Sequence, residues 1–248
     1  MSGHSKWSSI KHKKSAVDAK RGRLFTKLIR EITVAARIGG GDPESNPRLR
    51  TAVLKAKEAN MPKENIDRAI KKGTGELEGE QFYEMTYEAY GPGGVAILIN
   101  TLTDNKNRTT ADLRNILSRS NGSLGESGCV AYLFKRKGLI TFSAEKYSEE
   151  DIFSAALEAG AEDVITENKT IEVTTAPDEF ESVFGSLKRA GFKETFAEIT
   201  MIPEATIKLD EESTKKAMKL IDQLDDHEDV QSIATNLDIP DDFKLEDE

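Results

Sequence analysis

The sequence predicts an α+β protein of three domains, an N-terminal helical domain followed by two α/β-sandwich domains of ferredoxin-like type, the third inserted in the second. Three observations predict it. Apolar residues recur with helical spacing through residue 73 and alternate with a period of two from Phe82 onward. A glycine-rich, acidic stretch at 73–81 separates the two regimes. A complete βαββαβ order lies within 138–203, with strand-like and helical segments left over on either side of it. The expected boundaries are 1–75 for a basic arm and three-helix domain, 76–137 with 204–240 for a middle domain, 138–203 for the insertion and 241–248 for an acidic tail.

Residues 1–13 are polar and lack apolar spacing, which predicts a flexible basic arm. From residue 14 the spacing is helical: Val17, Leu24, Leu28, Ile32 and Ala35 recur at intervals of three, four and seven, and Phe25 and Ile29 widen the stripe. At 100° per residue, Lys20, Arg23, Lys27, Arg30 and Arg37 fall in one quadrant away from it, so one face is expected to pack and the other to form a cationic ridge. Gly39-Gly40-Gly41 ends this helix. Asn46 before Pro47 opens a second helix to about residue 59, and Pro62 a third, through Ile66, Ala69 and Ile70 to a stop at Gly73.

The strand-like runs 82–90 and 95–103 flank Gly91-Pro92-Gly93-Gly94, a hairpin signal. The caps in TDNKNRTT precede a helix through Leu113, Ile116 and Leu117, closed by Asn121-Gly122, after which CVAYLF at 129–134 reads as a strand. The insertion then runs strand 139–144, helix 149–158 capped by Ser148, strand 163–166, a turn at Asn168-Lys169, strand 170–175, helix 177–189 and strand 195–202. A last strand, helix and strand at 205–209, 211–224 and 230–237 have nothing else to pack on, so they are expected to return to the sheet begun at Phe82.

Charge is distributed unequally. The net formal charge is -9, yet residues 1–72 carry 18 Lys or Arg against 7 Asp or Glu, while the remaining 176 carry 17 against 37. A basic first quarter holds phosphates and an acidic remainder repels them, so a nucleic acid is expected to meet one end of the molecule rather than wrap it. The single Cys129 excludes an internal disulfide framework and any CxxC metal site, which fits a reducing compartment. No apolar run approaches the roughly 18 residues of a membrane span, and the first 30 residues lack the apolar core of a signal peptide, so a cytoplasmic location is expected.

The candidate nucleic-acid-binding residues are Lys6, Trp7, Lys11, Lys13, Lys14, Lys20, Arg21, Arg23, Lys27, Arg30 and Arg37. Trp7 stacks on a base or folds back into a core; both readings stand. Lys106 and Arg108, at a helix start, form a second candidate phosphate contact, against ordinary capping with the cations solvated or paired to neighbouring acids. Signs of catalysis are weak. The phosphate-loop and zinc-protease patterns are absent, the three histidines lie far apart, and Cys129 sits in an apolar run where a buried thiol is inert. No enzyme activity, cofactor or metal is expected; a carboxylate-held magnesium for nuclease chemistry is the weak alternative.

GHSKWSSIKHKK, AKRGRLFTKLIREI, NMPKENIDRAIKKG, YEAYGPGGVAILI, LTDNKNRT, NGSLGESGCVAYLF and LDDHEDVQSIATNLDIP together resemble the YebC family, nearly end to end. That family includes bacterial probable transcriptional regulators and the mitochondrial translational activator of cytochrome c oxidase subunit I. The resemblance implies three α+β domains and a non-enzymatic role in gene expression, with nucleic acid bound by the basic helical part. A DNA-binding transcriptional regulator of bacterial type is the leading expectation. A translational activator associated with the ribosome or its RNA is the alternative, its acidic domains reaching protein partners. Where the family usually reads GEPGS, this chain has Glu126-Ser127-Gly128-Cys129, without the proline.

Overall fold

The computed structural model describes residues 18–167 and 169–239. The arm with its expected residues Lys6, Trp7, Lys11, Lys13 and Lys14, the expected turn residue Asn168 and the expected tail at 241–248 lie outside the described residues. Seven α-helices and two four-stranded antiparallel sheets are seen among the described residues.

The helical head consists of α1 (Asp18–Gly39), α2 (Pro47–Glu58) and α3 (Lys63–Thr74). Leu28, Ile32 and Ala35 of α1 pack on Leu49, Ala52, Val53 and Ala56 of α2 and on Ile66 and Ala69 of α3. Buried Asn46 ties two helix ends together. Its Oδ1 accepts from Leu49 N at 3.1 Å to cap α2, and its Nδ2 donates to the carbonyls of Ala35 and Gly40, at 2.8 and 2.9 Å, around the end of α1. Gly73 does not stop α3. The helix runs on to Gly75, which has φ +84°, and Gly73 is instead the point where α3 crosses α1, because a Cβ there would collide with the Thr33 carbonyl.

The middle domain begins with the hairpin β1 (Tyr83–Tyr90) and β2 (Ala96–Thr103), joined by a turn at Pro92–Gly94. The short β3 (Ser123–Leu124) pairs with β1, and β8 (Val230–Thr235) returns to pair antiparallel with β2, for instance Ile99 with Ile233, giving the order β3-β1-β2-β8. Helices α4 (Lys106–Arg119) and α7 (Glu211–Asp225) cover one face, with Leu113, Leu117, Leu220, Ile221 and Leu224 packed on Ile97, Ile99 and Ile233. The expected strand at 205–209 reduces to one parallel bridge, Ile207 with Leu237.

The run CVAYLF is not the strand it resembles. Buried Glu88 of β1 accepts from the N–H groups of Gly128, Val130 and Ala131 at 2.6, 2.6 and 2.7 Å, and a carboxylate gathering three consecutive-region amides bends the chain into a loop and one turn at Ala131–Leu133. The strand starts only at Phe134. It then continues as β4 (Phe134–Ser143) without a break, so it begins beside the middle-domain residues Ala96, Leu98 and Ala234 and ends in the core of the insertion.

That insertion has β4, α5 (Glu149–Glu158), β5 (Asp163–Glu167), β6 (Thr170–Thr175), α6 (Phe180–Arg189) and β7 (Phe196–Pro203), with sheet order β5-β6-β4-β7, the ferredoxin-like arrangement. Ile140, Phe142, Ile152, Val173, Val183 and Leu187 form its core. Ser148 caps α5 through Asp151 N at 3.2 Å, as its spacing predicts.

Candidate nucleic-acid interface

Of the cations expected on one face of α1, Arg23, Lys27, Arg30 and Arg37 do share a face, but it is turned against the middle domain; the side chain of the fifth, Lys20, lies outside those described. Arg23 pairs with Asp226 at 2.9 Å, and Lys27 with Asp225 at 3.6 Å while also donating to the Asp225 carbonyl. Arg30 donates to Asp229 and to the Glu228 carbonyl, both at 2.6 Å, and lies 5.5 Å over the Phe82 ring. Arg37 donates to the Phe82 carbonyl at 2.5 Å. Val34, on the same helix, packs on Phe82 and Leu102. The free cationic ridge expected on α1 is therefore corrected. The end of α7 and the loop after it supply carboxylates to Arg23, Lys27 and Arg30, because a stripe that is cationic yet flanked by Val34 is as complementary to an acidic protein segment as to phosphates.

Asp229 is the centre of this junction, with 1% of its side chain exposed against 11% for Arg30. Besides Arg30, it accepts from Thr109 Oγ1 at 2.6 Å and from Arg108 at 3.2 Å. Burial pushes its carboxyl up, but the hydrogen bonds from Thr109 and Arg108 and the charges of Arg30 and Arg108 outweigh burial, and the net direction is down. His227 lies beside it, accepting from Asp229 N through Nδ1 at 3.2 Å and facing Asp112 at 3.4 Å through Nε2.

Lys106 and Arg108 are engaged within the chain. Asn105 caps α4 by accepting from Arg108 N at 3.1 Å, Arg108 reaches Asp104 at 2.6 Å as well as Asp229, and Lys106 Nζ lies 4.5 Å from the Tyr83 ring centroid. The Arg108 guanidinium is held further protonated, first by its hydrogen bond to Asp104 and then by that to Asp229.

Exposed cations free of ion pairs among the described residues lie elsewhere on the head. Arg21 is exposed on the first turns of α1, 5.4 Å over the Phe25 ring. Lys57 of α2 and Lys63, Arg68, Lys71 and Lys72 of α3 are exposed, those on α3 opposite the face that buries Ile66 and Ala69. Glu64 and Asp67 interrupt the first turn of that surface, leaving Arg68, Lys71 and Lys72 as a purely cationic end. These residues are not among the candidates on α1, although the helical period of α3 places them away from its apolar stripe and marks them as solvent-facing. Among the described residues, no group of three or more His, Cys, Asp or Glu is arranged to hold a metal ion, and no helix is long and apolar enough to cross a membrane.

Fold and charge together define a three-domain α+β protein, its helical head clasped to the first of two antiparallel-sheet domains. The chain belongs to the TACO1/YebC family: residues 5–76 match its N-terminal domain and residues 82–237 its second and third domains. A protein of Treponema denticola named a probable transcriptional regulatory protein is 58% identical over 245 residues, 99% of each chain. One of the same name from Geotalea uraniireducens is 56% identical over 239 residues, 96% of each. The crystal structure of the conserved hypothetical protein Aq1575 from Aquifex aeolicus superposes with a TM-score of 0.83 at 50% identity, over 96% of this chain and 98% of that one.

Proposed function

We propose that this protein is a non-enzymatic regulator of gene expression that binds nucleic acid through its head, as a DNA-binding transcriptional regulator. The observation that carries the reading is the charge distribution: 18 basic residues against 7 acidic in the first 72, in a chain of net charge -9. The names of the relatives support it. The binding surface combines Lys6, Trp7, Lys11, Lys13 and Lys14 with Lys20, Arg21 and the cationic end of α3. Arg23, Lys27, Arg30 and Arg37 hold the head in place, and Lys106 and Arg108 order the start of α4.

One observation favours the second reading, a translational activator acting on ribosomal RNA. With Arg23, Lys27, Arg30 and Arg37 turned inward, no long cationic helix face among the described residues is left to lie along a duplex, and short basic segments suit structured RNA. Replacing Lys11, Lys13 and Lys14 by Glu is expected to abolish binding to DNA and RNA with the melting temperature unchanged; equal binding by the triple variant overturns the role of the arm. Crosslinking in cells followed by sequencing separates the two readings, promoter fragments supporting transcription and ribosomal RNA supporting translation.

A further inference from the structure

The sheet of the insertion has two edges, and the rest of the chain occupies one of them. At the β7 edge, Lys55 of α2 pairs with Glu198 at 2.9 Å, and Met201 packs against Ala96, Leu98 and Ala234 of the middle domain. At the other edge, β5 pairs with β6 alone among the described residues, from Asp163 opposite Thr174 to Glu167 opposite Thr170. Alternate N–H and C=O groups of β5 therefore point outward with no strand to receive them.

Beside this edge lies α5. Ile152 and Ala156 turn into the core, while Phe153 and Leu157, each one residue on and about 100° round the helix, are 44% exposed. β4 and β5 run parallel, since each pairs antiparallel with β6, and the right-handed crossover usual for such a pair carries Phe153 and Leu157 to the side of α5 over the free edge of β5. On the opposite face of the sheet, Ile165 of β5 is 48% exposed. A strand laid along β5 thus finds apolar surface on both faces, its side chains meeting α5 and Ile165 by turns.

Charge selects what that strand is. Residues 149–167 contain seven Asp or Glu and no Lys or Arg. Glu162 is paired with Lys137 at 2.9 Å and Glu167 is engaged within the chain, but no ion pair is seen for Glu149, Glu150, Asp151, Glu158 or Asp163 among the described residues. The helix dipole accounts for the acids in the first turn of α5 and opposes Glu158 in its last. A second copy of this edge sets the same acids against one another, whereas a segment carrying Lys or Arg is attracted.

We propose that the outer edge of β5 and the flank of α5 bearing Phe153 and Leu157 form a docking groove for an extended basic segment of a partner protein, which joins the sheet as a further strand with apolar side chains toward α5 and Lys or Arg toward Asp163. The probe is a labelled peptide of about nine residues alternating Val and Lys, titrated by fluorescence anisotropy against the full-length chain. It is compared with a peptide of the same composition arranged in two blocks, and with two versions methylated at the backbone nitrogens of every Val or of every Lys. Alternate N–H groups lie on one edge of a strand, so one methylated version is expected to lose binding and the other to keep it. The block peptide, and the alternating peptide on the variant Phe153→Ser, Leu157→Ser, are each expected to bind about tenfold or more weakly, while Tyr132→Ser on the middle domain changes nothing. No binding of the alternating peptide, equal affinity of alternating and block peptides, equal affinity of the two methylated versions or unchanged affinity of the double variant each overturns the proposal. Binding about tenfold tighter by the variant Lys11→Gln, Lys13→Gln, Lys14→Gln also overturns it, giving the groove to the chain's own arm as a tethered competitor. A dimer in sedimentation that the double variant abolishes overturns it in favour of a second copy. The methylated versions are read on the wild-type chain, so that comparison decides even where the double variant melts lower.

Discussion

Asp229 shows what one buried carboxylate does when several donors converge on it. Thr109, Arg108 and Arg30 all donate to it, so Asp229→Ala leaves the half-buried Arg30, packed over Phe82, with only the Glu228 carbonyl and the more distant Glu228 carboxylate as partners. Breaking a buried pair in this way costs about 3–5 kcal/mol, to be read from urea unfolding at pH 7. The pH dependence has a definite sign. The folded carboxyl titrates below its ordinary 3.8, so its contribution is complete above that value and is lost as pH falls through the lower folded pKa. The stability gap between wild type and Asp229→Asn is expected to hold from pH 7 to about 4 and to narrow below it. Glu88 behaves alike: burial pushes it up, the amides of Gly128, Val130 and Ala131 more than compensate, and its contribution also disappears only in acid. Neither role is visible in the residue itself. An Asp near the end of LDDHEDV and a Glu in an alternating strand look like solvent-facing acids until their donors, 40 and more residues away, are folded against them.

At the scale of elements, α1 and α3 exchange the roles their charges suggest. Arg23, Lys27, Arg30 and Arg37 of α1 act as protein contacts, and the cations of α3 stay exposed. Replacing Arg23 and Lys27 with Gln is therefore expected to lower the melting temperature and leave nucleic-acid affinity within about twofold of wild type. Replacing Arg68, Lys71 and Lys72 with Gln is expected to do the reverse, weakening binding and flattening its salt dependence with little change in stability. If the α1 pair proves the more damaging to binding, the clasp opens when nucleic acid binds. Helix starts are legible because capping chemistry is local: Asn46 and Ser148 cap where their spacing puts them, and Asn105 is the one of the several caps in TDNKNRTT that the structure uses. The Gly73 and CVAYLF expectations failed for the opposite reason. A crossing glycine and a capping glycine look alike in one chain, and an apolar run becomes a loop only when a distant carboxylate claims its amides.

For the whole molecule, β4 decides how independent the domains are. Because it passes unbroken from Phe134 in the middle-domain packing to Phe142 in the inserted core, damage at one end is transmitted to the other. Phe142→Ala, a core truncation of about 3–5 kcal/mol, is expected to speed amide exchange in β5, β6 and β7 and also at Ala96 and Ala234; exchange confined to the insertion would show two separately unfolding units.

The sequence by itself determined the α+β class, the order and nearly all the limits of the elements, and the concentration of positive charge in the first 72 residues, since periodicity, capping and net charge depend on near neighbours alone. Only the tertiary structure decided which cations face solvent. That choice depends on where the Asp225 to Asp229 loop lands, about 200 residues along the chain from the helix it neutralises, and no local pattern encodes a contact between segments so far apart.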